Sequence, residues 1–286
     1  PRFKPNFVYK IGSGGHTYTR LSEVKIFGEV DILFLGSSHA YRGFDTRIFL
    51  NNGLKTFNLG SSSQTPIQTK VLLDRYLDRL KPKLVIYEAY PEIFNLDGVE
   101  SSLDIISNDK NDTHSLKMAF KVNNIKVYNA FIYGFIHDLF GLNKSYYEPV
   151  IKGDDKYVSG GFVERKIDFY QPKKLEKREI IFKDYQLAAF SEIIKTLKKQ
   201  KIPLILVYAP IPKSNYNNYT NNNYFDSIMN RYATYFNFNE IISLNDSLHF
   251  YDSHHLNQKG VERFNKKLIE ILRKNNTIIF KSLCKK

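Results

Sequence analysis

The architecture of this chain follows from one stretch, Val30-Asp31-Ile32-Leu33-Phe34-Leu35-Gly36-Ser37-Ser38, in which a short apolar run stops at a glycine and two serines. A continuous apolar run closed by turn residues is typical of a buried strand in a parallel sheet. Residues 54–59 and 84–87 repeat the pattern, and residues 67–80 between them carry apolar side chains at helical spacing. This alternation predicts a parallel sheet with crossover helices.

The middle of the chain, residues 95–172, breaks the alternation. It begins polar, becomes rich in aromatic residues around 128–140 and closes in a glycine-containing stretch at 158–162. We interpret it as a partly helical insertion that covers a site, and residues 1–29 as an N-terminal extension. Regular alternation then returns, with a helix at 176–200, a strand at 202–208, a helix at 224–236, a short strand at 241–242 and a helix at 256–274.

The predicted fold is therefore a single α/β domain over residues 1–286, a three-layer α/β/α sandwich with a mostly parallel sheet. A chain of 286 residues can bury a sizeable core without covalent or metal cross-links. Its single cysteine, Cys284, excludes an internal disulfide framework and any multi-cysteine metal site. Beyond the Asp252–His255 group described below, no metal-ligand spacing is present, so neither a metal nor an organic cofactor is expected.

The net charge of +13 suggests an anionic partner. The excess is mostly lysine and is spread along the chain, which favours a solvated basic surface. No helix-turn-helix, zinc-finger or RNA-recognition signature accompanies the charge, so nucleic acid is disfavoured as a partner.

No window of the sequence approaches the ~20 uninterrupted apolar residues of a membrane span. The opening residues, Pro1-Arg2-Phe3-Lys4, lack the pattern of a secretory signal. Because the chain starts with Pro1 rather than Met, membrane association through an N-terminal segment absent from this sequence is an open alternative.

The chemistry is expected beyond the carboxyl ends of the strands, where open α/β sheets bind their ligands. Ser38 lies there, directly after a buried strand and at the start of a predicted helix. An alcohol is a weak nucleophile at neutral pH and needs a neighbouring base, which in turn needs an orienting acid. In Asp252-Ser253-His254-His255, Asp252 and His255 can project from one turn, so that the carboxylate holds Nδ1 while Nε2 faces Ser38. The structural alternative is a helix-capping Asp252 beside a surface histidine.

Three segments together resemble the SGNH (GDSL-like) hydrolase superfamily: Phe34-Leu35-Gly36-Ser37-Ser38, Asn58-Leu59-Gly60 and Asp252-x-x-His255-Leu256-Asn257. The resemblance implies an SGNH/flavodoxin-like sheet. It also implies that Ser38 is the nucleophile, His255 the general base and Asp252 the orienting acid. The backbone N–H of Ser38 would be one oxyanion donor, and that of Ser63 the second, with Gly60 as the alternative if the loop is shorter.

The sequence departs from the family pattern at two places. Ser37 replaces the aspartate before the nucleophile, and Glu88-Ala89-Tyr90-Pro91-Glu92 stands where a Gly-x-Asn-Asp block would follow the third strand. The side-chain amide of the oxyanion hole is thus missing, and losing one such donor typically costs ~10²–10³ in turnover. Either Tyr90 or a residue of the insertion replaces it, or the reaction is slow or altered.

Both departures resemble a divergent branch that acts on bacterial cell-envelope polymers, including proteins of exopolysaccharide O-acetylation and teichoic-acid D-alanylation. The resemblance implies an exported, periplasmic or cell-surface protein whose partner is an acylated carbohydrate or envelope polymer.

Three further positions are candidate substrate-binding residues: Tyr90, His39 and Arg42. Consecutive helix positions do not face each other, so His39 is expected to point away from Ser38, with lining of the pocket as the alternative. Arg42 lies one turn beyond Ser38 and either binds an acidic substrate group or pairs with Asp45.

The sequence thus predicts a serine esterase or O-acyltransferase that acts on acyl groups, acetyl above all, of a carbohydrate or cell-envelope polymer. The alternative is a catalytically inert protein that keeps the fold and binds a polymer or acts as a scaffold. The missing amide motivates that alternative, and the aromatic residues at 128–140 could then stack on sugars, although packing in a core is their more common use.

Overall fold

The computed structural model describes residues 6–12, 14–142, 146–173 and 175–275. Cys284 and Pro1-Arg2-Phe3-Lys4 therefore lie outside the described residues. The described part contains the strands β1 (Ile32–Leu35), β2 (Thr56–Asn58), β3 (Leu84–Glu88), β4 (Ile151–Lys152), β5 (Asp155–Val158), β6 (Phe162–Arg165), β7 (Leu204–Tyr208) and β8 (Thr234–Asn237).

Five of these strands form a wholly parallel sheet in the order β2-β1-β3-β7-β8. This is the flavodoxin-like order, in which the chain reverses direction across the sheet between β1 and β3. The predicted α/β class and parallel sheet are confirmed. The remaining three strands form a small antiparallel sheet, β4-β5-β6.

The helices of the described residues flank this sheet and connect its strands. They are α1 (Thr17–Glu23), α2 (Ser38–Gly43), α3 (Thr46–Leu50), α4 (Pro66–Leu80), α5 (Val99–Asn108), α6 (Thr113–Val122), α7 (Ile125–Phe140), α8 (Asp184–Lys199), α9 (Lys213–Tyr216), α10 (Asn222–Tyr232), α11 (Phe238–Ile241) and α12 (Gln258–Lys274), with short 3₁₀ turns at Gly14–His16 and Pro91–Phe94. None of them is long and apolar enough to cross a membrane.

The hydrophobic core lies on both faces of the parallel sheet, because successive strand residues point to opposite sides. Leu33 and Leu35 of β1 pack with the apolar residues of α4 and α8. Ile32 and Phe34, which alternate with them along the strand, pack with the apolar residues of α12 on the other face. The result is the predicted three-layer arrangement.

The C-terminal strand differs from its prediction. Residues 224–236 were expected to be one helix and 241–242 a strand, but α10 ends at Tyr232 and the strand is Thr234–Asn237. The β-branched and aromatic side chains of this strand favour an extended backbone. Asn237 then caps α11 by accepting a hydrogen bond from Asn239 N–H, so residues 238–241 are helical.

Two other helices begin later in the chain than predicted. The helix predicted at 176–200 begins at Asp184, because residue 178 instead bridges to Tyr219 in an extended conformation. The last helix begins at Gln258, after Asn257 accepts a hydrogen bond from Gly260 N–H at 3.1 Å.

The described residues between 95 and 172 form the three helices α5, α6 and α7, followed by the antiparallel sheet β4-β5-β6. The β5–β6 hairpin lies against α2, the helix that Ser38 begins. This contact carries part of the segment to the carboxyl edge of the parallel sheet.

Candidate active site

Ser38 is the first residue of α2 and follows β1 through a tight turn. Gly36 adopts φ +137° there, and a Cβ atom at this position would lie 2.8 Å from the carbonyl oxygen of Glu88, so only glycine fits. Ser37 caps the helix by accepting a hydrogen bond from His39 N–H. The N–H groups of a first helical turn have no intrahelical partner. The Ser38 N–H is thus available at the start of α2, beside its hydroxyl.

The structure brings Ser38, His255 and Asp252 into one hydrogen-bonded chain. Ser38 Oγ and His255 Nε2 are 2.8 Å apart, across a sequence separation of 217 residues. His255 Nδ1 lies 2.8 Å from Asp252 Oδ2. With Nδ1 donating to the carboxylate, Nε2 is the acceptor for the Ser38 hydroxyl.

Asp252 is fixed by the backbone of its own turn. Its Oδ1 accepts hydrogen bonds from His254 N–H at 2.9 Å and His255 N–H at 2.7 Å. The carboxylate therefore closes the turn and orients the imidazole at once. It does not cap the last helix, whose N-cap is Asn257, and the His255 side chain is only 11% exposed, so the alternative of a helix cap beside a surface histidine is wrong.

Burial and charge set the protonation states of this chain of residues. Burial lowers the pKa of His255 to about 4, although the hydrogen bond that it donates to Asp252 acts to raise it. Burial acts to raise the pKa of Asp252, but the hydrogen bond with His255 and its charge outweigh this and hold that pKa far below its usual range. At neutral pH the imidazole is neutral and the carboxylate ionised, which is the state that a general base requires.

The two backbone groups suggested as second oxyanion donors differ in availability. Gly60 N–H donates to Asn58 Oδ1 at 2.9 Å, so it is already used, and the suggestion that Gly60 supplies a donor is corrected. Ser63 lines the same cleft as Ser38 and adopts φ +49°. Among the described residues we find no hydrogen bond from its N–H.

A cleft of about 440 Å³ opens beside Ser38. The residues that line it come from both ends of the chain and from the middle segment: Ser38, Tyr41, Arg42, Ser62, Ser63, Glu100, Arg165, Ile167, Tyr251, Asp252, His254 and His255. Glu100, Arg165 and Ile167 were not predicted to lie at the site, because no local sequence pattern marks them. Tyr251 could have been found, because it directly precedes Asp252.

Arg42 lines the cleft but does not pair with Asp45. Its guanidinium donates two hydrogen bonds to Asp155, at 2.9 and 2.8 Å, and Arg165 adds a third to the same carboxylate at 3.0 Å. Asp45 pairs instead with Arg47 at 2.7 Å. The buried ion pair between Arg42 and Asp155 connects α2 to the β5–β6 hairpin.

His39 was expected to point away from Ser38. It is buried, and its ring contacts His255. Its ring stacks on Tyr90 at 3.9 Å between centroids and on His255 at 4.8 Å. Burial holds the pKa of His39 well below its ordinary value, so the ring is neutral. It supports the face of the His255 imidazole without placing a charge there.

Tyr90 does not line the cleft. Its hydroxyl lies 3.4 Å from that of Tyr219, which donates to Glu92 at 2.6 Å. Because its hydroxyl belongs to this separate group, the suggestion that Tyr90 replaces the missing oxyanion amide is corrected.

Glu88 is a buried acidic residue beneath the site. Its side chain is fully buried at the end of β3, where Oε1 accepts from Ala209 N–H at 3.3 Å. Burial raises its pKa to about 8, so the group is mostly protonated at neutral pH and adds no negative charge beneath the site.

Asp252, His254 and His255 also offer one metal-ligand atom each, all within 4.8 Å of one another. Both ring nitrogens of His255 are already hydrogen-bonded, to Ser38 and Asp252. A metal here would break those contacts, and the group is better described by the hydrogen bonds it makes.

No protein family model and no curated protein matches this sequence. Among solved structures, a GDSL-like lipase from Bacteroides thetaiotaomicron is similar over 91% of this chain and 98% of its own, with a TM-score of 0.45 and 12% identity. A proposed acylhydrolase from Bacteroides fragilis is similar over 92% of this chain and 98% of its own, with a TM-score of 0.43 and 12% identity. These similarities concern the fold of the backbone.

Proposed function

We propose that this protein is a serine esterase or O-acyltransferase that acts on ester-linked acyl groups, acetyl above all. The observation that carries the proposal is the 2.8 Å contact between Ser38 Oγ and His255 Nε2, with His255 Nδ1 held 2.8 Å from Asp252. A half-buried hydroxyl at the edge of an open cleft, paired with a neutral imidazole, is the arrangement that activates an alcohol for attack.

In the proposed reaction, Ser38 Oγ attacks the ester carbonyl carbon while its proton passes to His255 Nε2. The carboxylate of Asp252 stabilises the imidazolium that forms. The negative carbonyl oxygen of the tetrahedral intermediate accepts hydrogen bonds from Ser38 N–H and Ser63 N–H. The ester C–O bond then breaks, the leaving alcohol takes the proton from Nε2, and an acyl-serine remains.

The second half of the reaction decides between hydrolysis and transfer. Water or a sugar hydroxyl attacks the acyl-serine, and His255 again accepts the proton and returns it to Ser38 Oγ. The same three residues serve both outcomes, so access of the acceptor to the cleft determines which one dominates.

The proposed substrate is an O-acylated carbohydrate or cell-envelope polymer, which would place the protein outside the cytoplasm. Support comes from the two departures in the sequence pattern, Ser37 and the block Glu88-Ala89-Tyr90-Pro91-Glu92. Release of acetate from O-acetylated and N-acetylated glycans tests it, because an ester-specific site acts on the first group alone.

Acylation of Ser38 is the direct test of the nucleophile. Incubation with an aryl acetate should leave one acetyl group on the protein, found by intact mass and mapped to the peptide that contains Ser38. Ser38→Ala should abolish the adduct, whereas the control Ser62→Ala, a serine of the same cleft, should retain it. An adduct that forms on Ser38→Ala at an unchanged rate would falsify the assignment.

The missing side-chain amide favours a second candidate, a protein that binds an acylated polymer without turning it over. It predicts no adduct with any acyl donor and measurable binding of an acylated glycan. The mass measurement therefore separates the two candidates.

The pH dependence of acylation should report the pKa of His255. Only the neutral imidazole accepts a proton, and burial lowers its pKa to about 4. We expect kcat/KM for an aryl acetate to be level from neutral pH to about pH 5 and to fall about tenfold per unit below the pKa. Rates should be measured with circular dichroism at each pH to confirm folding. An acid limb at the ordinary value of about 6.5 would contradict this environment for His255.

A further inference from the structure

The outer surface of α6 and α7 is apolar. Nine exposed or half-exposed apolar residues of these two helices form a surface that we call the α6–α7 face: Leu116, Phe120, Ile125, Tyr128, Ile132, Phe135, Ile136, Leu139 and Phe140. Leu139 and Phe140 are each 70% exposed and Ile132 is 57% exposed. The rings of Phe120 and Tyr128 are 5.9 Å apart, which joins the two helices into one surface.

The exposed residues of α7 lie opposite its buried side. Val127, Ala130 and Gly134 face inward, and a side chain at Gly134 would meet Asn111 at 2.6 Å. At 100° per residue, Ile132 and Leu139 then point almost directly away from the protein. A helix that is apolar on all sides normally has all of them covered, yet Ile132 and Leu139 of this helix are 57% and 70% exposed.

The charges around the face are almost all positive. Residues 113–142 contain Lys117, Lys121 and Lys126 but one acidic residue, Asp138. Asp138 Oδ2 accepts from Asn111 N at 2.7 Å and from Asn111 Nδ2 at 3.0 Å, and Lys121 pairs with Glu192 on the neighbouring helix. Lys117 and Lys126 have no ion-pair partner among the described residues, so the rim of the face complements an anionic surface.

We propose that the α6–α7 face rests on an anionic lipid bilayer, with α7 parallel to the membrane plane. The helix has 16 residues, about 24 Å at ~1.5 Å per residue, which is shorter than the ~30 Å hydrocarbon core. Apolar and aromatic side chains on one face with lysines beside them are the features of a helix that lies in the interface. This inference goes beyond the proposed function and does not depend on it.

A second copy of the chain fits the face less well. In a two-fold contact the same surface meets itself, so Lys117 and Lys126 of both copies would come together. The one acid of these two helices, Asp138, is already hydrogen-bonded to Asn111. A lipid headgroup supplies that negative charge.

Vesicle flotation tests the proposal with the full chain. The protein should float with vesicles that contain phosphatidylglycerol and bind phosphatidylcholine vesicles much less. Ile132→Ser/Leu139→Ser/Phe140→Ser should reduce binding more than about tenfold, because buried apolar area drives insertion. The matched control Ile26→Ser/Leu50→Ser/Leu248→Ser, three exposed apolar residues elsewhere, should bind as the parent does.

Lysine substitution tests the charge separately. Lys117→Gln and Lys126→Gln should each weaken binding to phosphatidylglycerol vesicles by about fivefold and leave thermal unfolding unchanged. Equal binding of the triple-serine variant and the parent overturns the proposal, as does a parent that ignores anionic vesicles. It is also overturned if sedimentation shows a dimer that the triple-serine substitution dissociates while vesicle binding is unaltered.

Discussion

Replacing His255 by glutamine is expected to lower kcat/KM for an aryl acetate by about 10⁴–10⁶-fold, the range typical of removing the base from a serine triad. Glutamine can hydrogen-bond to Ser38, whose Oγ lies 2.8 Å from His255 Nε2, but it cannot take up the proton. The Ser38 hydroxyl then stays a weak nucleophile. Initial rates of aryl-alcohol release measure the loss.

The control for this substitution is His114→Gln, a histidine on α6 outside the cleft, which should keep the parent rate. The double variant Ser38→Ala/His255→Gln should be no slower than either single variant, because the two residues act as one unit. Asp252→Asn should cost about 10⁴-fold by favouring the wrong imidazole tautomer. Independent, multiplying effects of the two single changes would show that Ser38 and His255 do not act together.

Most strands of the parallel sheet, and the three residues Ser38, Asp252 and His255, could be predicted from local patterns in the sequence. A buried strand shows as an apolar run, and the turn after it must carry a glycine, so the position of Ser38 follows from residues 30–38. Asp252 and His255 are three residues apart, and their contact lies within a single turn. What brings the two segments together is the parallel sheet, which the alternation of strands and helices already predicts.

Long-range packing explains what the sequence did not reveal. The partner of Arg42 is Asp155, 113 residues away, in a hairpin with no periodic signal strong enough to fix its position. The contact between His39 and His255 is a second example. That Ser38 and His39 point apart on α2 says nothing about His255, which arrives from another element and stacks on His39 at 4.8 Å.

Asp155→Ala is expected to lower the free energy of unfolding by about 3–5 kcal/mol, the usual cost of breaking a buried ion pair from one side. The side chains of Arg42 and Asp155 are only 9% and 12% exposed. Without the carboxylate, the guanidinium of Arg42 keeps its charge in a nearly dry environment and faces Arg165 unopposed. Denaturant unfolding at neutral pH measures the loss.

The neighbouring Asp154 provides the matched control. It is 55% exposed and lies 3.7 Å from Arg165, so Asp154→Ala should cost less than about 1 kcal/mol. Arg42→Met/Asp155→Ala should recover much of the lost stability, because it removes the unpaired charge together with its partner. A double variant as unstable as Asp155→Ala would mean that stability is lost with the contacts that Asp155 itself makes, and not through an unpaired charge on Arg42.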